Sequence, residues 1–525
     1  MKKFLILSAF FGLVLFSSCK KDTPMAAGDG ITIIPETTGM LMTFDMGSLM
    51  EKADFEYVKT LDFYKDMLKE VSSDNQKLVS ILEDPSKSGI DTEQNMYVSL
   101  KFDPEGSEQV FGGVVFSLAD RSAFEAMLAE TDAQLDIQNG DGYQYAIGDS
   151  KTIVGWSDQF VVVGFSNTYM ELAQEMEAYF KTTPETSIAN QSDIKSNLET
   201  GHDISMWLTT NPFADNPSAQ FALSMAEIDP EALRDNYIRS YVDFENGKIT
   251  GTSDLDLQKA LTKDLGKFFD DKVDTDYTAY VPQDDLLFAI TVAIDMTGID
   301  EVLTARPQSK QFLDYSLQQY GLSFTDIANT FGGDILIAGT KGEVQGTTAG
   351  IVAININDDD KLMDFINMAI ENRALEADGD NVYKLTPFLT RSSMKEMDMD
   401  VNFPDGSARL IIENDIIFVT GDPTTMAMIQ DGGYSRGDRA SGEIKSLLSD
   451  HVYGTYFAMK AMREFDPEME NMPFSIMEGF MDSETGEFTF EMEDDSQNAL
   501  RLLMETANEE YLKEKQEAMS DGEAM

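Results

Sequence analysis

The 525-residue chain has one cysteine, two histidines and two tryptophans, and only 39 Lys and Arg stand against 94 Asp and Glu. Each scarcity excludes something. A single cysteine, at position 19, forms no intramolecular disulfide and builds no thiolate zinc site, so stability must come from the core. The two histidines, His202 and His451, stand in no H-x-x-x-H or H-E-x-x-H spacing. The formal charge, 39 − 94 = −55, repels nucleic acid and anionic head groups wherever salt does not screen it, so no nucleic-acid partner is expected. There is no G-x-x-x-x-G-K-[ST] loop and no dinucleotide fingerprint after a strand, which leaves nucleotide chemistry unsupported. What is present, 42% hydrophobic and 10% aromatic residues, is the composition of a folded protein rather than of an acidic disordered chain. The length suits roughly two to four domains.

Lys2 and Lys3 precede the apolar run Phe4 to Phe16, which is too short to span a bilayer permanently and ends Phe16-Ser17-Ser18-Cys19. These residues resemble the lipobox of bacterial lipoproteins. The resemblance implies a signal peptide over residues 1–18, a lipidated Cys19, and a flexible tether over residues 19–30. An ordinary signal peptide with an incidental cysteine is the alternative. Lys20, Lys21 and Asp22 resemble the export signal that carries lipoproteins of Bacteroidetes-type bacteria to the cell surface. The implied place is the outer membrane, held by the lipid, with the cell surface favoured over the periplasmic face. Acylation would also remove Cys19 as a thiol nucleophile.

Self-comparison finds segments that recur in the same order at a spacing of roughly 240 residues, the signature of a duplication. Ile34-Pro35 opens a strand-like run at Met40 to Phe44, and Val281-Pro282 opens one at Leu286 to Ile294. Gly113–Asp120 (GVVFSLAD) matches Gly350–Asn357 (GIVAININ), and Asp158–Phe165 (DQFVVVGF) matches Asn414–Gly421 (NDIIFVTG). His202–Trp207 matches His451–Tyr456, and Glu245–Thr250 (ENGKIT) matches Glu484–Thr489 (ETGEFT). The visible differences are a longer helical pair in the first copy, Tyr57 to Leu82, and an insertion in the second around Leu389 to Gly406.

Short alternating runs and a hairpin signal at Asn246-Gly247 point to antiparallel sheet. The expected class is therefore α+β: two tandem copies of a mainly antiparallel sheet covered by helices on one face. The expected division is a first module over residues 31–258, a linker over 259–276, a second module over 277–512, and a polar tail over 513–525 that frays. Lipobox, tether, the Ile34-Pro35 opening and the Ser88-Gly89-Ile90-Asp91 turn before a strand together resemble a group of Bacteroidetes-type outer-membrane lipoproteins of unknown function. That resemblance supplies no catalytic residues.

The remaining motifs read as structure first. Gly433-Tyr434-Ser435-Arg436-Gly437 fits G-x-S-x-G, with Asp438 and His451 downstream. It follows a helix and enters a polar stretch instead of leaving a buried strand, so it reads as a solvated loop. The two histidines occupy equivalent places at strand starts, which favours a structural role. Asp398, Asp400 and Asn402 have the alternating oxygen donors of a calcium loop, although Phe403 and Arg409 stand where Gly and Glu belong. Asp358, Asp359 and Asp360 read as a helix cap. Met459, Met462, Met469, Met472, Met477 and Met481, interleaved with Phe465, Phe474 and Phe480, read as core, ahead of an apolar partner groove or a copper(I) site. Trp156 and Trp207 read as core. No cofactor and no catalytic residue is expected. The expected function is a non-catalytic, lipid-anchored envelope protein that binds or scaffolds a protein or glycan partner. The alternatives are a hydrolase of a surface polymer using a carboxylate pair, or a carrier of an apolar ligand.

Overall fold

The computed structural model describes residues 29–523, apart from 73–75, 103–108, 132–134, 199, 226, 271, 343–347, 387–407, 466–468 and 470. Ten strands lie in the first part of the chain: β1 (Met40–Phe44), β2 (Met96–Phe102), β3 (Val110–Ser117), β4 (Ile137–Asn139), β5 (Gln144–Asp149), β6 (Thr152–Trp156), β7 (Phe160–Ser166), β8 (Ile204–Thr209), β9 (Tyr237–Glu245) and β10 (Lys248–Asp256). Ten more come later: β11 (Leu286–Val292), β12 (Phe331–Lys341), β13 (Thr348–Ile356), β14 (Leu375–Gly379), β15 (Val382–Leu385), β16 (Arg409–Glu413), β17 (Ile416–Thr420), β18 (Tyr453–Phe457), β19 (Phe474–Met481) and β20 (Thr485–Met492). Eighteen α-helices accompany them among the described residues.

All pairings between these strands are antiparallel, and they join the twenty into one open sheet. Read from one edge, the first ten run β4-β5-β6-β7-β3-β2-β1-β8-β9-β10. From the other edge the last ten run β14-β15-β16-β17-β13-β12-β11-β18-β19-β20. The expectation of two separate sheets is corrected here: β10 pairs with β20, from Lys248↔Glu491 to Asp254↔Thr485. Each of these nine- and eight-residue strands would otherwise present a long row of unsatisfied backbone groups, and joining them removes both edges. The edges that remain are blunted. β4 has three residues, and β14 carries Glu376 and Asp378 on exposed positions.

Covering on one face is also corrected. In β7, Phe160 and Val162 join a core with Met176 and Tyr179 of the helix Leu172–Lys181, while Val161 between them joins a core with Phe124, Met127 and Leu128 of the helix Arg121–Thr131. In β17, Phe418 packs in a cluster with Ile429 and Leu448, and Ile417 in another with Leu362 and Ile366. Both strands are uninterrupted apolar runs, so a side chain on either face needs cover. The two tryptophans are core as expected: Trp156 and Trp207 are fully buried, on β6 and β8.

The helix Met46–Ala53 starts at Asp45, whose carboxylate accepts from Ser48 N at 2.9 Å, and Met296–Thr304 starts at Asp295, which accepts from Gly298 N at 2.8 Å. Asp358 caps Asp359–Glu371 in the same manner, accepting from Lys361 N at 3.0 Å. The helical pair expected to be longer in the first copy, Asp62–Ser72 and Gln76–Glu83, has a counterpart of nearly the same length in Pro307–Leu317 and Phe324–Thr330. Nor does the chain fray after Leu512: the last helix runs from Ala499 to Glu523 and crosses to the first half, where Ala499, Leu500 and Leu502 share a core with Leu49, Met50, Ala53 and Tyr64. Its Asn508 accepts from the amides of Asp62 and Phe63 at 2.7 and 3.1 Å, capping the helix Asp62–Ser72 from outside.

Candidate functional site at the histidine–aspartate pairs

Both histidines immediately precede a strand that pairs with a hairpin arm, and both find an aspartate there. Ahead of β8, His202 Nδ1 lies 2.6 Å from Asp243 Oδ2, and the ring stands against Tyr241 with centroids 4.4 Å apart. Ahead of β18, His451 Nδ1 lies 3.1 and 3.3 Å from the two oxygens of Asp482, and the ring stacks on Phe480 at 3.8 Å. A neutral ring that donates from Nδ1 keeps Nε2 as an acceptor. Among the described residues no serine or threonine hydroxyl bonds either ring, so the arrangement orients an imidazole without supplying it a nucleophile.

Beside the first pair sits a buried charge network. The Asp203 carboxylate accepts from Lys52 Nζ at 2.6 Å, from the Ser48 hydroxyl at 2.6 Å and from Phe244 N at 2.7 Å. Its own amide donates to Asp243 Oδ1 at 3.2 Å, tying the network to the histidine. Counting from the shared cap and the shared histidine, the corresponding positions in the other half are Val302 and Val452, both buried. Two valines thus stand where the first half has an ion pair.

Two clefts flank His451 and Asp482. One, of about 390 Å³, opens between the end of β10, the segment after it and the β19–β20 turn; Leu255, Leu257, Phe269, Val452 and Met481 give it apolar walls, with Asp270 and Asp482 at its margin. The other, of about 310 Å³, is lined by Glu443, Leu447, His451, Glu478, Phe480 and Glu487. Burial holds the Glu478 carboxyl above its ordinary range, and the neighbouring charges of Glu443 and Glu491 add to the effect. This groove can hold a proton on Glu478 or attract a cation.

Cys19, Lys20, Lys21 and Asp22, and likewise Asp398, Asp400 and Asn402, lie outside the described residues. Ser435 is in an exposed loop and its hydroxyl donates to Asp438 at 2.7 Å, while His451 is engaged with Asp482, so G-x-S-x-G, Asp438 and His451 do not form a triad. The methionines do not form a core: Met459, Met462, Met469 and Met477 are half-buried, and Met472 and Met481 are exposed. Met459–Met462 is a single turn that fully buries none of its residues. Asp243 and Asp482 were not singled out from sequence. The available signal was their place just before a hairpin turn in each half.

Residues 31–395 match a family described as a domain of unknown function (DUF4836). No curated protein matches the sequence. Among solved structures, crystal form I of TP0453 is 11% identical over 45% of this chain and 81% of that one, with a TM-score of 0.26. Crystal form III gives 11% identity, 45% and 82% coverage, and a TM-score of 0.27. At those scores the likeness carries neither fold nor function across. No helix among the described residues is long and apolar enough to cross a membrane.

Proposed function

The chain belongs to the DUF4836 family, and from that starting point we propose that it is a non-catalytic, lipid-anchored envelope protein that presents a duplicated α+β body to a partner. The observation that carries the reading is the strand order, the same in both halves and joined edge to edge through β10 and β20. The paired His–Asp contacts on an aromatic ring, the Asp45 and Asp295 caps, and the apolar strand runs that recur in the same order support duplication from independent residues. A duplication fused in this way presents one continuous antiparallel sheet, and its histidines recur as fixtures of the strand starts rather than as one active site. Anchorage is argued from Cys19 and the Lys20-Lys21-Asp22 signal of the Bacteroidetes-type lipoproteins.

The test has two readouts. Metabolic labelling with a palmitate analogue is expected to mark the wild type and not Cys19→Ser, and a non-penetrating protease on intact cells is expected to remove the body while a periplasmic control survives. Detergent extracts run on a native gel are then expected to show the anchored protein above its monomer position. A protein that is unlabelled, or that migrates as a free monomer under every extraction, would overturn the reading.

The groove at His451 supports one second reading, hydrolysis of a surface polymer. Burial holds the Glu478 carboxyl above its ordinary range, and it shares the groove with Glu443 and Glu487, the two-carboxylate arrangement that such chemistry uses. Sugar release from envelope polysaccharide that is lost in Glu478→Gln, with the fold intact, would replace the scaffold reading.

A further inference from the structure

We propose that the exposed face of the helix Pro307–Leu317 docks an amphipathic helix of a partner protein, as the chain's own last helix docks on Asp62–Ser72; the inference rests on the duplication reading. The two docking helices correspond. Each has eleven residues and is the next long helix after an Asp-capped one, Met46–Ala53 in one half and Met296–Thr304 in the other. In the first half, Ala499–Glu523 supplies the cover: Leu500 and Leu502 enter the core, Asn508 caps the amides of Asp62 and Phe63, and the Tyr511 hydroxyl donates to Asp66 at 3.1 Å.

The second half has no such cover among the described residues. After β10, in the place that the 25-residue helix takes after β20, stands Lys259–Leu265, of seven residues. The chain then bends over Met296–Thr304, where the Phe268 carbonyl accepts from Asp295 N at 2.9 Å and Lys267 Nζ meets Glu301 at 2.8 Å. Pro307–Leu317 buries none of its residues. Phe312 and Tyr315 are 72% and 77% exposed, and Tyr320 beyond them is 57% exposed. Side chains of this size each hide about 150–250 Å² when covered, so leaving an i, i+3 aromatic pair bare is a large unused binding resource.

The face is also uncharged, in a chain of net charge −55. From Pro307 to Phe324 the only charged residues are Lys310 and Asp314, and both turn to neighbouring helices. Lys310 Nζ lies 2.8 Å from Asp300 and from the Thr325 hydroxyl, and Asp314 accepts from Phe324 N at 2.8 Å. In the first half Asn508 caps the Asp62 and Phe63 amides from outside, whereas this helix opens on Pro307, which has no amide proton to cap. The occupant therefore carries apolar residues at i, i+3 or i+4 and i+7 to straddle Phe312 and Tyr315. A lipid surface is the poorer fit, because it would bring an acidic body against anionic head groups.

The test uses the full chain in its native cells, with Tyr315 replaced by the photoreactive p-benzoylphenylalanine and, as control, the equally exposed Tyr169 replaced likewise. Irradiation is expected to give an adduct at position 315 and not at 169. Mass spectrometry is expected to place the crosslink in a segment of another protein with helical apolar periodicity. Phe312→Ser in the same chain should reduce the adduct about tenfold, the loss of one aromatic anchor. A crosslink to lipid, to glycan or to a second copy of this chain overturns the proposal, and so does a yield no higher than that of the control. Superposition of residues 29–258 on 276–492 in an experimental structure checks the duplication separately. Failure of the crosslink with that superposition intact sinks the docking alone.

Discussion

Replacing Lys52 tests how the first half tolerates a buried carboxylate. The Asp203 side chain is 1% exposed and Lys52 29% exposed, with Nζ and Oδ2 2.6 Å apart. At that distance and an effective dielectric near 20 the gross attraction is about 6 kcal/mol, and desolvation of several kcal/mol per ion offsets most of it. The pair is therefore worth little net, but breaking it is costly. Lys52→Met leaves Asp203 with only two neutral donors, the Ser48 hydroxyl and Phe244 N. The expected loss is about 3 kcal/mol, at the low end for a broken buried pair because Lys52 already reaches water. Asp203→Val alone should cost about 2 kcal/mol, since the Phe244 amide loses its acceptor while Lys52 can turn to solvent. The double variant, Lys52→Met with Asp203→Val, replaces the ion pair by two apolar side chains, as Val302 and Val452 do in the second half, and should cost only about 1 kcal/mol. The coupling is then about 4 kcal/mol, far outside additivity. Urea unfolding followed by tryptophan fluorescence reads it cleanly, because Trp156 and Trp207, the only tryptophans, are both buried in this half. A double variant as unstable as the sum of the singles would refute the reasoning, as would a Lys52→Met protein within about 1 kcal/mol of wild type.

Three further perturbations have expected outcomes. Asn508→Ala removes the outside cap of Asp62–Ser72 and should cost about 1 kcal/mol, with faster hydrogen exchange at the Asp62 and Phe63 amides than at the far end of that helix. At the join between the halves, a Cβ on Gly251 would stand 2.1 Å from the Phe488 ring, so Gly251→Val should cost about 2 kcal/mol and separate the tryptophan transition from the far-UV circular dichroism transition; coincident transitions would count against a cooperative join. Burial raises the Asp29 carboxyl above its ordinary 3.8, against the lowering effect of the Tyr97 hydroxyl that donates to it at 2.6 Å. The folded state then binds that proton more tightly than the unfolded state, so this group's contribution is full below 3.8 and is lost as pH rises through its raised folded value. Asp29→Asn, which still accepts from Tyr97, should flatten the stability curve in that window, measured as the difference between wild type and variant from about pH 4 to 7; parallel curves would contradict the assignment.

The order of strands was legible because matched runs such as Gly113–Asp120 and Gly350–Asn357 kept their sequence spacing. Their cover was misread. Phe160-Val161-Val162-Val163 and Ile416-Ile417-Phe418-Val419 do not alternate, and an unbroken apolar run is the mark of a strand buried on both faces. The fusion of the sheets could not be read, since β10 and β20 look like ordinary hairpin arms and their pairing spans more than 230 residues. The hairpin match itself slipped: Gly247, with φ +72°, is in the turn after Glu245, whereas Gly486 lies within β20 and the second hairpin turns at Ser483 and Glu484. Pro307–Leu317 was missed because a helix that buries nothing has no apolar stripe to reveal it. Ile194-Lys195-Ser196 and Ile444-Lys445-Ser446, identical and on corresponding helices, were a signal that could have aligned the halves more closely. For the histidines, equivalent placement correctly pointed to strand starts, but their partners lie 41 and 31 residues away among 94 acids, and only folding selects them.

The differences between the halves have a direction. Where the first half places Phe244 just after the hairpin aspartate, the second places Ser483. Where the chain returns 25 helical residues over the first half, it gives the second only seven before bending away. The first half thereby acquires a core containing Phe244, Met492 and Leu500, and the second retains a cleft at Leu255, Leu257 and Val452 together with a bare aromatic helix. The two halves are still one continuous sheet, paired through β10 and β20. A duplicated body with two equally closed halves would offer a partner nothing that a single copy lacks. On the proposed duplication, one half left open and joined through β10 and β20 to a better covered one is the arrangement that would let the second copy offer a partner a surface.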